Sequence, residues 1–149
     1  SGSDSFAFDS YGSDRLAISG NTAVIGAPDA DDLAIDSGAL YVFQDRGSGW
    51  EQVDKLYAPD AAVNGGFGSG LALDYPYAAI AAKYDDELGG NSGAVWVFRH
   101  DGTTWWPVAK LSSPTPTVEA YFGTSVDISG EYVVASQLGS AVLTAVFRR

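Results

Sequence analysis

The 149-residue sequence contains no cysteine, no methionine and a single histidine, His100. Without thiols there is no disulfide and no thiol chemistry. Zinc is nearly excluded too, because its sites draw chiefly on cysteine and histidine. Basic residues are few: 8 Lys and Arg stand against 19 Asp and Glu, a formal net charge of −11. That balance argues against nucleic acid and anionic lipid as partners, since both are held through clustered Lys and Arg. No run approaches the roughly 18 consecutive apolar residues of a membrane-spanning helix, so the sequence reads as a soluble chain without membrane insertion. Position 1 is Ser rather than Met, and nothing from Ser1 to Ser5 resembles a signal peptide. The expectation is a processed chain or a fragment whose natural start is hidden.

What is plentiful points one way. Apolar residues make up 46% of the chain, aromatics 13%, and there are 18 glycines. The apolar content argues against disorder. Glycine together with aromatics suits many short strands joined by tight turns better than helices.

The sequence also repeats itself. Asp36-Ser37-Gly38-Ala39-Leu40-Tyr41-Val42-Phe43 returns 55 residues later as Asn91-Ser92-Gly93-Ala94-Val95-Trp96-Val97-Phe98. The same shift pairs Trp50 with Trp105, Val53 with Val108, Lys55-Leu56 with Lys110-Leu111, Pro59 with Pro114, and Phe67-Gly68 with Phe122-Gly123. Tyr11-Gly12 is the first version of that last pair. Each start is followed by an apolar strand, at Leu16-Ala17-Ile18, Leu71-Ala72-Leu73 and Val126-Asp127-Ile128.

Each unit reads as four strands. In the first copy these are 15–19, 22–27, 39–44 and 50–57. Gly20-Asn21 forms a hairpin turn between the first two, 29–38 is a polar loop, and 45–49 is a second turn. Three strands are nearly all apolar, while the fourth carries Glu51, Gln52, Asp54 and Lys55. Inner strands sandwiched between sheets need apolar groups on both faces, and charge protects an outer edge strand from mispairing. About 50 residues per four-strand unit is the spacing of propeller blades.

Phe67-Gly68, Phe122-Gly123, Tyr11-Gly12 with Gly26-Ala27-Pro28, and the Asp-Ser-Gly-Ala-x-Tyr-Val-Phe segment resemble the FG-GAP repeats of integrin α-subunit propellers and related secreted bacterial proteins. The resemblance runs from about Tyr11 to Phe147. It implies an all-β fold of β-propeller blades in a single segment, 1–149, with repeats at approximately 11–66, 67–121 and 122–149. The second copy departs from Gly-Ala-Pro with Ala81-Ala82-Lys83, and the third with Ala135-Ser136-Gln137. The third copy is shorter, and a spare strand at 5–9, with Phe6 and Phe8 alternating, supplies the twelfth strand of three blades. Three blades fall below the usual four to eight. The expected completion is either a second copy, giving a six-blade ring, or a longer parent propeller.

In this family the loop between the second and third strands often holds calcium, which implies Asp29, Asp31, Asp32 and Asp36 in the first copy and Asp85, Asp86, Glu87 and Asn91 in the second. Calcium takes six to eight oxygens, and clustered carboxylates with backbone carbonyls supply them. Neither loop has the integrin-type Asp-x-Asp-x-Asp-Gly spacing. The alternative is a solvated turn whose Asp and Asn side chains accept local hydrogen bonds.

Trp50, Trp105, Tyr41 and Trp96 recur at fixed blade positions, which favours packing between blades over sugar stacking. Trp106, Tyr75 and Tyr77 stand outside that pattern and are the candidate ligand-binding aromatics of a lectin-like surface. Catalysis has little to stand on. His100 sits at a turn with no Gly-x-Ser-x-Gly motif, no spacing singles out a carboxylate pair, and the glycine-rich stretch 65–70 lacks the lysine of a phosphate loop. The resemblance therefore implies a non-catalytic extracellular or cell-surface module for binding or adhesion, directed at a protein or a glycan. A structural, self-assembling subunit is the alternative, and a hydrolase fragment stands behind both.

Overall fold

A computed structural model describes residues 15–130 and 132–138. Among the described residues ten strands form and no helix. The first sheet consists of β1 (Leu16–Ser19), β2 (Thr22–Ala27), β3 (Ala39–Asp45) and β4 (Trp50–Leu56), in that spatial order and antiparallel throughout. The second repeats it with β5 (Phe67–Asp74), β6 (Tyr77–Ala82), β7 (Ala94–His100) and β8 (Trp105–Leu111). The third begins as a hairpin of β9 (Val126–Ser129) and β10 (Tyr132–Ala135). The strand ends expected from the sequence hold to within one residue. The proposed strand at 5–9, the rest of the third repeat and the twelve-strand count lie outside the described residues.

The 55-residue period extends into fine geometry. A register shift interrupts β3 against β4 between Val42 and Phe43, and its counterpart falls between Val97 and Phe98. Such bulges increase local twist. The turn at Gly20-Asn21 closes with Ser19 opposite Thr22, as a two-residue hairpin requires.

Successive sheets pack face to face. Val24, Leu40, Val42 and Leu56 of the first sheet meet Phe67, Ala78, Ile80 and Phe98 of the second. Ala79, Ala81, Val95 and Val97 of the second meet Phe122, Ile128, Val133 and Ala135 of the third. This accounts for the nearly unbroken apolar inner strands β6 and β7 of the second sheet, since both of their faces are covered. The outer strands β4 and β8 are largely exposed and carry the charge. The arrangement is that of consecutive β-propeller blades.

The recurring Phe-Gly pair is the joint between blades. Phe67 and Phe122 are fully buried, and each forms a parallel bridge to the glycine of the preceding Ser-Gly-Ala, Gly38 and Gly93 respectively. Backbone hydrogen bonds flank both joints at the same positions. Gly66 N–H donates to the Asp36 carbonyl and Tyr121 N–H to that of Asn91, while Phe67 N–H donates to Ser37 and Phe122 N–H to Ser92. A Cβ on Gly26 would lie 2.1 Å from the Gly68 carbonyl oxygen, so the Gly-Ala-Pro and Phe-Gly motifs are two sides of one backbone contact. Ala81 occupies the Gly26 position in the second copy. Its methyl would meet any Cβ on Gly123 at 2.8 Å, so there the glycine is needed on one side only.

Packing between blades also separates two repeat-related tryptophans. Trp105 is 6% exposed, held against the first blade and edge-on to Tyr75. Trp50 is 47% exposed, although both were expected in the core. Trp50 lies on the blade-1 face opposite the second blade, where no described sheet covers it. Trp105→Ala is expected to cost about 3–5 kcal/mol and Trp50→Ala about 1 kcal/mol in urea denaturation. Equal losses would mean that the outer face of blade 1 is covered in solution.

Candidate functional site

The blades have two unlike ends. One carries the short turns, including those at 75–76 and 101–104. The other carries the long loops 28–38 and 83–93 together with the blade connections 57–66 and 112–125. All eight acidic-loop candidates lie at the long-loop end.

Among the cavities that open there, two adjoin, and a third of about 230 Å³ lies beside Lys110, Asp85 and Glu87. The larger of the adjoining pair, about 320 Å³, lies between the first blade connection and the loop after β6, lined by the buried Ala58 and Phe67, the exposed Val63, and the acidic Asp60, Asp85, Asp86 and Glu87. The smaller, about 240 Å³, is lined by Pro28, Asp29, Asp36, Asn64, Gly66 and Asn91. Tyr84 lines both. Its ring stands edge-on to Tyr121 at 5.8 Å, and the Lys83 ammonium lies 5.2 Å from its centroid. Tyr84 occupies the repeat position of Asp29, and an aromatic at the place of an acid was the one signal in the sequence that could have singled it out.

The acidic side chains divide by task, and the repeat-related pairs Asp31 and Asp86, and Asp32 and Glu87, do so in the same way. Asp31 Oδ1 accepts the Asp36 N–H at 2.8 Å, and Asp86 Oδ1 accepts the Asn91 N–H at 2.7 Å. These bonds brace the turns in which Asp36 and Asn91 take positive φ. Asp32 pairs with Lys55 and accepts the Tyr57 hydroxyl at 3.1 Å. Glu87, in the matching position, pairs with Lys110, which also binds Asp60 and, at 3.1 Å, Asp85. Asp29 and Asp36 face the smaller cavity together with Asn91. Among the described residues, no three Asp, Glu or His side chains converge into a set able to hold a metal.

The hydrogen bond from Lys55 holds the Asp32 carboxyl below the usual carboxylate range, against the opposing effect of burial. Burial alone would lower the Lys110 ammonium, but hydrogen bonds to Asp60, Glu87 and Asp85 outweigh it and raise it above the ordinary lysine value. The sequence showed both lysines as a repeated pair but gave no sign of what they bind.

The aromatic candidates belong to the short-turn end and do not converge. Tyr77 is buried between blades 2 and 3, with the Arg99 guanidinium 5.9 Å from its ring centroid. Tyr75 is exposed, and its hydroxyl lies 2.8 Å from His100 Nδ1. His100 packs against Trp105 at 5.2 Å between ring centroids. Trp106 is 55% exposed and follows Trp105 along the strand, so it faces the other way. Its indole N–H donates to Asp101 Oδ2 at 2.7 Å.

Asp101 also accepts the backbone N–H groups of Thr104 and Thr103, and these bonds, followed by that from Trp106, hold its carboxyl down to about 2. The folded-state value lies below the unfolded one, so the contribution of these bonds is complete at neutral pH. It is lost as the pH falls through the ordinary carboxylate range toward 2. Trp106 fluorescence is expected to titrate with a midpoint near pH 2, and Asp101→Asn should abolish the step. A midpoint near pH 4 would mean that the turn leaves the carboxyl unperturbed.

A family model described as FG-GAP repeat matches residues 1–43 and 50–98, more than half of the chain. No curated protein gives a significant match.

Proposed function

The chain belongs to the FG-GAP repeat family, and from that premise we propose that it is a non-catalytic extracellular binding or adhesion module that takes a protein or glycan at its long-loop end. FG-GAP repeats are typically found in extracellular adhesion and binding proteins, and the family is generally non-enzymatic. Among the described residues, no helix is long and apolar enough to cross a membrane.

The observation that carries the reading is the pair of adjoining cavities divided by Tyr84. A concave site lined by apolar and aromatic side chains with a few polar groups is the usual form of a ligand site. An exposed aromatic ring offers a stacking surface at small entropic cost. The test is a glycan microarray probed with the labelled protein, alongside a panel of extracellular-matrix proteins. Saturable binding to one class supports the reading, and no binding to either removes it.

Self-association is a second reading, favoured by a specific contrast. Leu71 and Leu73 pack against the core under blade 1, whereas their repeat counterparts Leu16 and Ile18 are 61% and 64% exposed. A further blade, from a second copy or from a longer parent chain, would cover them as blade 1 covers blade 2. Native mass spectrometry distinguishes the cases: a dimer supports the second copy, and a monomer at micromolar concentration removes it.

A further inference from the structure

The long-loop end contains a cation-binding arrangement in which the cation is part of the chain. Lys55 and Lys110 stand 55 residues apart on the outer strands β4 and β8. Each lies over the aromatic ring of the neighbouring strand, Lys55 at 4.5 Å from the Tyr41 centroid and Lys110 at 5.5 Å from that of Trp96. Each then reaches the same position of its acidic loop, Asp32 in one copy and Glu87 in the other. Lys110 adds Asp85 from that loop and Asp60 from the connection between blades 1 and 2.

This donor set does not fit the calcium that the family resemblance implies. A calcium ion requires six to eight oxygens directed at one point. Here Asp31 and Asp86 are turned onto backbone N–H groups, and Asp32, Asp85 and Glu87 are directed at an ammonium. Two positive charges of this size do not share one set of carboxylates, because like charges at contact distance repel strongly.

We propose that the Lys55 and Lys110 ammonium groups are the built-in cations of the two acidic loops, and that they order the long-loop end without a metal. Lys110 joins an inter-blade connection, through Asp60, to the acidic loop of the next blade. The inference concerns how the loops are held and does not depend on what they bind.

The test uses the full chain, with thermal unfolding and calcium titration calorimetry on the wild type and on Lys110→Met, which keeps the apolar stem and removes the charge. The wild type is expected to give no calcium heat and the same midpoint in millimolar calcium as in EDTA. Lys110→Met is expected to melt about 3–6 °C lower, because Asp60, Asp85 and Glu87 then face one another unpaired. Lys110→Arg should stay close to the wild type. A wild-type chain that binds calcium and loses stability in EDTA overturns the proposal, as does a Lys110→Met variant as stable as the wild type. If Lys110→Met does not fold, the wild-type titration decides alone.

Discussion

Phe67→Ala is expected to lower the unfolding free energy by about 4 kcal/mol. Phe67 is fully buried at the seam between the first two blades and meets Phe98 edge-on at 5.9 Å between ring centroids. Its surroundings, Val24, Leu40, Ile80 and Ala82, come from both sheets. The truncation therefore removes a side chain that two blades share, and neither can close over the void without moving its own inner strands. Buried aromatic rings lose both transfer free energy and packing when deleted, which places this effect among the largest expected of a single side chain here. Urea denaturation measures it, with the midpoint falling and the slope unchanged. A loss below about 1 kcal/mol would mean that the blades do not pack through the Phe-Gly joint.

Gly38→Ala is expected to be nearly as damaging, for a backbone reason. A Cβ at Gly38 would stand 2.1 Å from the Phe67 carbonyl oxygen and 2.5 Å from its nitrogen, and φ there is +88°. A side chain at positive φ costs about 1–2 kcal/mol by itself, and forced overpacking adds about 1–3 kcal/mol. Gly47 is the internal control. Its φ is +96°, yet nothing lies within 4 Å of its would-be Cβ. Gly47→Ala should show the conformational cost alone, and the difference between the two variants measures the close approach of one blade's backbone to the next. Equal losses would show that strain, not contact, holds these glycines in place.

These expectations explain what the sequence made legible. The 55-residue period, the Gly20-Asn21 turn and the contrast between apolar inner strands and charged outer strands are local patterns, and each has a direct physical counterpart in the sheets. The Phe-Gly and Gly-Ala-Pro motifs were readable as family marks. That Gly26 and Gly68 touch each other is a contact between blades, which no local pattern states.

The site was harder to read for the same reason. An acidic loop shows its charge in the sequence but not what that charge faces. Asp32 and Glu87 face lysines that lie 23 residues further along and return only because β4 and β8 run beside β3 and β7. Asp60 comes from a different blade connection altogether. Trp50 and Trp105 are equivalent in sequence and unlike in burial, because exposure depends on which neighbouring blade is present. Tyr84 owes its place to the two cavities it lines, where the loop after β6 meets the first blade connection.

The proposed ligand site at the long-loop end beside Tyr84 is separable by mutation from the exposed aromatics of the short-turn end. The most direct measurement compares the wild type, Tyr84→Ala and Trp106→Ala on the same glycan and matrix-protein arrays, with folding checked by circular dichroism. Tyr84→Ala is expected to weaken binding by about tenfold or more, a change worth about 1.4 kcal/mol, while Trp106→Ala binds as the wild type does. Binding that survives Tyr84→Ala and is lost in Trp106→Ala would place the site at the opposite end of the blades and contradict the account.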